Sequence, residues 1–274
     1  MYVCPDCKTP LENLYCRECR HQYTAADGVP VLVSNDPRFQ EAASSIAAYN
    51  AIYRSQTNVW ENQGRTPEFL AYFSGLLQRF PATRYLEVGC GEGFLFARVQ
   101  AGEKFAVDLS VQALKAAQAK TQAQFSVALA ERLPFAAAYF DLVASVGVME
   151  HFLDDRGAAR EIGRVLRDGG YYVALLHVEL TFWERVGLNL SRYLLPYPKP
   201  LELGRRLRQK LQEWGKADPT PAYPEQPIQR KYSARSAKDL LERCDFKVVE
   251  VIHTRKYPDL PLKANYVVIY IAKK

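Results

Sequence analysis

The sequence predicts an α/β protein built on a doubly wound, mostly parallel sheet, with a small cysteine-rich module at its amino end. Three observations predict it. The short apolar run Tyr85-Leu86-Glu87-Val88 passes directly into the glycine-rich turn Gly89-Cys90-Gly91-Glu92-Gly93 and then into a helix beginning at Phe94–Val99. This is the strand, tight turn and helix order of a nucleotide-binding α/β unit. A second run, Lys104–Val107, ends on Asp108, nineteen residues beyond Gly89. That placement suits a carboxylate at the end of a neighbouring parallel strand, where it accepts hydrogen bonds from ribose hydroxyls. Finally, four of the six cysteines crowd into the first nineteen residues.

Composition sets the outer bounds. The chain has 274 residues, 48% hydrophobic and 24% charged, which fits a globular protein and excludes a disordered tail, a collagen-like rod or a coiled coil. No apolar run approaches the roughly 18 residues of a membrane-spanning helix. The start, MYVCPDCKTP, lacks the basic residues and apolar stretch of a secretory signal, so a cytoplasmic location is expected. The net charge of +6 is small, and most of the excess lies between positions 179 and 216.

The amino-terminal elements come first. Cys4-Pro5-Asp6-Cys7 and Cys16-Arg17-Glu18-Cys19 are two C-x-x-C hooks eight residues apart. Each hook aims two thiolates at one point, and two hooks facing across a hairpin give the four-sulfur tetrahedron of a closed, structural zinc site. So short a segment cannot bury enough core to fold alone, so the metal would supply most of its folding free energy. A coincidental or redox pair is the other reading. Residues 1–33, ending Asp27-Gly28-Val29-Pro30-Val31-Leu32, resemble a small zinc-ribbon family. Residues 34–80 read as helical connectors: Asp36 before Pro37 is an N-cap with proline at the first helical position. Ile46, Tyr49, Ile52 and Tyr53 recur at helical spacing, and a second helix from Thr66-Pro67 carries the stripe Phe69, Leu70, Phe73, Leu76, Leu77 and Phe80. Such stripes are usually core; the functional alternative is that Tyr49, Tyr53 or Trp60 roofs a pocket.

The central turn excludes two nucleotide classes. A dinucleotide fingerprint needs a third glycine where this chain has Phe94, and no P-loop lysine follows. The pattern is instead Glu87-x-Gly89-x-Gly91-x-Gly93. With it, in order, come Asp108, Ala130-Glu131-Arg132-Leu133-Pro134-Phe135, the strand Phe140–Val146 leading to Met149-Glu150-His151, and Val165-Leu166-Arg167-Asp168-Gly169-Gly170-Tyr171. On these motifs residues 80–178 and 233–274 resemble the class I S-adenosylmethionine-dependent methyltransferases. The resemblance implies a Rossmann-like sheet of seven strands, a core over 81–178 and 233–274, and cofactor contacts from Glu87, Gly89, Cys90, Gly91, Gly93, Asp108, Leu109, Ala130, Glu131 and Val146. The ribbon family likewise includes a companion protein of RNA and protein methyltransferases and a module fused to the front of some of them, so a protein partner is a further implication.

A sulfonium donor is already activated, so alignment and exclusion of water do most of the work. A base helps where the acceptor must lose a proton. Glu150 and His151 follow the fourth predicted strand, at the sheet's carboxyl edge, where open α/β folds bind ligands. His151 is the candidate base and Glu150 an orienter or metal ligand; the competing reading is that the pair caps the next helix. His177 is a second pocket candidate, or a satisfied histidine at the core's edge. An NPPY or DPPY motif, expected for amino methylation, is absent. Residues 179–232 form an insert with the apolar stripes Phe182, Trp183, Val186 and Leu203, Leu207, Leu211, and with Arg205, Arg206, Arg208 and Lys210 on one face. That face is a solvated surface, a site for an anionic or lipid-linked substrate or membrane surface, or an RNA contact. Residues 246–254 and 266–272 alternate as two strands of a closing antiparallel hairpin. The expected activity is methyl transfer to a small molecule or biosynthetic intermediate, at oxygen. The alternatives are an RNA methyltransferase gripping its substrate with ribbon and insert, and a non-catalytic cofactor-binding scaffold.

Overall fold

The computed structural model describes residues 2–55, 67–179, 227–253 and 267–274. The insert's apolar stripes and basic face, and Trp60, lie outside the described residues. Among the described residues, eleven strands and five α-helices follow in chain order. A short hairpin pairs β1 (Tyr15–Cys16) with β2 (His21–Gln22). A second hairpin joins β3 (Thr24–Ala26) to β4 (Val29–Val31). Its two-residue loop is Asp27-Gly28, both at positive φ (52° and 79°), the conformation a right-twisting hairpin demands and Asp-Gly supplies. Helices α1 (Ala42–Ser55) and α2 (Pro67–Leu77) come next.

The central sheet then forms from β5 (Arg84–Val88), β6 (Glu103–Asp108), β7 (Gln124–Val127), β8 (Phe140–Val146), β9 (Leu166–His177), β10 (Lys247–His253) and β11 (Val267–Lys273). Helices α3 (Val111–Gln118), α4 (Asp155–Val165) and α5 (Ala234–Glu242) lie between them. The strand order is β10-β11-β9-β8-β5-β6-β7-β4-β3. Strands β5 to β9 pair in parallel, whereas β11 is antiparallel to both β9 and β10. Alternating residues of each strand serve opposite faces. Leu86, Val88, Phe105 and Val107 join α4 and α5 in one core; Tyr85, Ala106, Leu142 and Ala144 join α2 and α3 in the other. Two covered faces explain why these strands read as continuous apolar runs.

Two expectations need correction. Among the described residues the sheet has nine strands rather than seven, because β4 pairs in parallel with β7 (Val31 beside Val127) and β3 follows it. The amino-terminal segment is thus the edge of the main sheet, within the same compact unit as the core. The helix expected from Phe94 is only a 3-10 turn, Phe96–Arg98. Phe96 is fully buried against Tyr85 and Phe125 (ring centroids 5.8 and 5.5 Å), and Val99 is already extended: tertiary packing overrides the local preference.

Candidate functional site

The site forms where the strand order reverses. β5 lies between β6 and β8, and the crevice at the carboxyl ends of such strands is the natural ligand position of an open α/β sheet. A cleft opens there. Six of the sequence-predicted residues line it: Gly89, Asp108, Leu109, Ala130, Glu131 and His151. Glu87, Cys90, Gly91, Gly93, Val146 and Glu150 stand behind that lining.

The residues behind the wall build it. Gly89, Gly91 and Gly93 have φ of 71°, 52° and 75°, so the chain can turn sharply off β5. At Gly93 a Cβ would fall 2.7 Å from Ala117 Cβ of α3, so this glycine also admits a close helix. Asp108 ties the turn to the next strand: its Oδ2 accepts from the Gly91 amide at 2.8 Å and its Oδ1 from the Ser110 amide at 2.9 Å. Glu87 is buried and accepts from the Tyr85 hydroxyl at 2.8 Å.

Helix α1 supplies the roof. Asn50 Oδ1 accepts from the Ser110 hydroxyl at 2.9 Å, which docks α1 over the start of α3 and puts Ser45, Tyr49 and Tyr53 on the cleft. Burial, reinforced by the nearby Asp108 and Glu150 charges, pushes the Tyr49 phenol above its ordinary pKa, so it stays a neutral donor. Burial likewise raises the Glu131 carboxyl, whose Oε1 accepts from the Asp154 amide at 3.1 Å. No lysine or arginine lines the described part of the cleft, while Asp108 and Glu131 do. These two carboxylates suit a nucleoside carrying positive charge.

Beyond β8 comes the 3-10 turn Met149–His151. His151 Nδ1 lies 2.6 Å from the Ile228 carbonyl. A carbonyl only accepts, so Nδ1 carries the proton and Nε2 is the acceptor in the neutral ring. Glu150 does not meet its neighbour His151 in a hydrogen bond. Its Oε1 lies 2.5 Å from Nδ1 of His177, at the end of β9. Burial would raise the Glu150 carboxyl, but the His177 hydrogen bond and the two histidine charges hold it below the ordinary value. The chain returning from the insert clamps this turn, with the Arg230 amide donating to the Glu150 carbonyl at 2.8 Å and the Arg230 guanidinium to the Leu153 carbonyl at 2.6 Å. The sequence carried no local signal for the Glu150–His177 pairing, which exists only because β8 and β9 are parallel neighbours.

The cysteine hooks fit the metal expected of them. The Sγ atoms of Cys4, Cys7, Cys16 and Cys19 all lie within 4.8 Å of one another, with Cys4–Cys19 at 3.8 Å and Cys7–Cys16 at 3.4 Å. A tetrahedral zinc with bonds of about 2.3 Å sets its sulfurs about 3.8 Å apart. The Cys19 amide and the Tyr23 hydroxyl add hydrogen bonds to Cys16 and Cys4 sulfur (3.4 and 3.2 Å).

The sheet order and the position of the cleft are those of a ligand-binding open α/β domain. Residues 86–174, from β5 into β9, match the family described as "Methyltransferase domain". A malonyl-[acyl-carrier protein] O-methyltransferase of Enterobacter lignolyticus is 38% identical over 101 residues, which cover 35% of this chain and 40% of that protein. The match therefore spans two fifths of the relative's length. Among solved structures, the Burkholderia thailandensis 1,6-didemethyltoxoflavin-N1-methyltransferase, with 1,6-didemethyltoxoflavin and S-adenosylhomocysteine bound, superposes with a TM-score of 0.58 at 17% identity, covering 92% of this chain and 98% of that one. A Haloferax volcanii complex of the Trm112 methyltransferase activator with a methyltransferase gives 0.54 at 16% identity, covering 84% and 96%. At these identities the likeness is one of fold.

Proposed function

We propose that this protein transfers the methyl group of S-adenosylmethionine to an oxygen of a small-molecule or biosynthetic-intermediate acceptor. The observation that carries the reading is the cleft at the strand reversal, walled by Gly89, Asp108 and Glu131 and free of lysine and arginine among its described lining. Asp108 would meet the ribose hydroxyls. Ala130 and Glu131 would border the adenine. The backbone opened by Gly89, Gly91 and Gly93 would receive the amino-acid end. When bound, the cofactor supplies an electrophilic methyl on a sulfonium; the protein's part is to hold it, align the acceptor and exclude water. Tyr49 and Tyr53 roof that space, and His151 presents Nε2 to it. The O-methyltransferase relative supports an oxygen acceptor; the toxoflavin N1-methyltransferase supports a small-molecule one.

We further propose a structural zinc held by Cys4, Cys7, Cys16 and Cys19. It would fix the amino-terminal hairpins and leave no open position for chemistry.

Calorimetry with S-adenosylhomocysteine tests the first step, and Asp108→Ala should weaken binding by about tenfold or more, the scale of 1.4 kcal/mol. A labelled-methyl screen of extract fractions, with and without nuclease, tests the acceptor. Label in a nuclease-resistant small molecule supports the proposal; label lost to ribonuclease would move the assignment to RNA, and no cofactor binding would remove both.

A further inference from the structure

We infer that His177, held by Glu150, is the catalytic base that takes the proton of a protic oxygen acceptor. The inference rests on the methyl-transfer reading above and narrows it to acceptors whose oxygen carries a removable proton.

Four observations carry it. His177 Nδ1 lies 2.5 Å from Glu150 Oε1, while the His177 side chain remains 48% exposed and that of Glu150 only 4%. A carboxylate only accepts, so Nδ1 carries the proton and the neutral ring's lone pair sits on Nε2. Second, the Glu150 Oε2 atom is buried with no hydrogen-bond partner, so the carboxylate is held through Oε1, by the His177 imidazole at 2.5 Å and, more weakly, the His177 amide at 3.4 Å. A buried anion paired through one oxygen stabilises the imidazolium that forms when Nε2 takes a proton. Third, His177 reaches the cleft wall because Gly147 has no side chain: a Cβ there would sit 3.2 Å from His177 Cε1, and Gly147 itself lines the cleft. Fourth, the other histidine of the region differs in one decisive way. His151 Nδ1 is held by a neutral carbonyl, which fixes its tautomer but offsets no charge. Of the two rings, only His177 has both an accepting Nε2 and a hydrogen-bonded carboxylate behind it.

The step balances simply. The acceptor's O–H proton passes to His177 Nε2, and the oxygen's lone pair forms the bond to the methyl carbon. The carbon–sulfur bond breaks with its electron pair staying on sulfur, so S-adenosylhomocysteine leaves neutral at sulfur. The proton then passes from Nε2 to water. Positioned proton transfer of this kind contributes about 10²–10⁴-fold.

The test uses the full chain, loaded with zinc, in two arms. In the first, ¹⁵N spectra of the histidine rings at neutral pH read tautomers, in wild type and in Glu150→Gln. The expected result is His177 protonated at Nδ1 with Nε2 bare, and a changed Nδ1 signal in Glu150→Gln. In the second, labelled S-adenosylmethionine is offered with phenol, catechol, a fatty acid and a malonyl thioester. His177→Gln should lower kcat at least 100-fold with S-adenosylhomocysteine affinity within about twofold of wild type, and Glu150→Gln should lower kcat less. A His177 ring protonated at Nε2, or His177→Gln turning over at the wild-type rate, would overturn the inference. So would a wild type that binds S-adenosylhomocysteine yet methylates none of these oxygen acceptors. A wild type that fails to bind S-adenosylhomocysteine would instead overturn the underlying reading, which separates the two failures.

Discussion

Asp108 shows how one side chain can serve both fold and site. Its two oxygens receive the Gly91 and Ser110 amides, so the carboxylate locks the glycine turn to β6 before any ligand arrives. Asp108→Asn keeps the shape but turns one acceptor into a donor facing an amide. A drop in Tm together with the weaker S-adenosylhomocysteine binding is therefore expected by differential scanning and titration calorimetry. Gly93→Ala should be worse for stability than for chemistry, since it combines a positive φ with a 2.7 Å approach to Ala117. We expect a loss of about 2–4 kcal/mol in urea unfolding, summing left-handed strain and overpacking. At this scale the glycines and Asp108 were legible because turn chemistry is written locally. The partner of Glu150 was not, because 27 residues separate it from His177 and only the sheet brings them together.

The element with most to explain is the amino-terminal hairpin pair. It is stitched to the core where the cleft is made: the Val3 amide donates to the Pro134 carbonyl at 3.0 Å, the Lys8 ammonium to the Leu133 carbonyl at 3.3 Å and to Glu161, and Arg132 pairs with Asp36 at 3.1 Å. Ala130 and Glu131 of the cleft belong to the same turn as Arg132. Cys4→Ser with Cys16→Ser should abolish zinc binding in metal analysis and lower Tm; zinc content unchanged would refute the metal proposal. Docking should also respond to acid. Burial would raise the Glu161 carboxyl, but Arg164 (2.7 Å) and Lys8 hold it below its ordinary value. The Lys8 ammonium is itself lowered by burial despite Glu161, so the carboxylate side carries the net gain. A depressed carboxylate stabilises above the unfolded pKa of about 4.3 and loses that contribution as pH falls through its folded value. Glu161→Gln should therefore be less stable than wild type at pH 7, by roughly 1–3 kcal/mol for lost hydrogen bonds to charged partners, with the gap closing in acid in thermal melts.

Across the molecule, both covered faces of the sheet and the closing β10–β11 hairpin could be read from runs and alternation. The extra width could not. Asp27-Gly28 between Ala26 and Val29 was a usable hairpin signal, but nothing local states that β4 pairs with a strand 96 positions later. Removing residues 2–33 should therefore not yield a trimmed soluble core. It would bare the β7 edge, with Phe125 and Val127 behind it, and unpaired edges recruit one another; we expect aggregation by light scattering, relieved by supplying the ribbon segment in trans.

That same pairing orders events in time. Because synthesis proceeds from the amino end, the cysteine hooks emerge long before Val127 exists to receive Leu32, whose amide donates to its carbonyl at 2.8 Å. The module that would capture zinc first must wait with a bare strand until the centre of the chain arrives, so the metal would guard a nascent peptide as well as brace a finished enzyme.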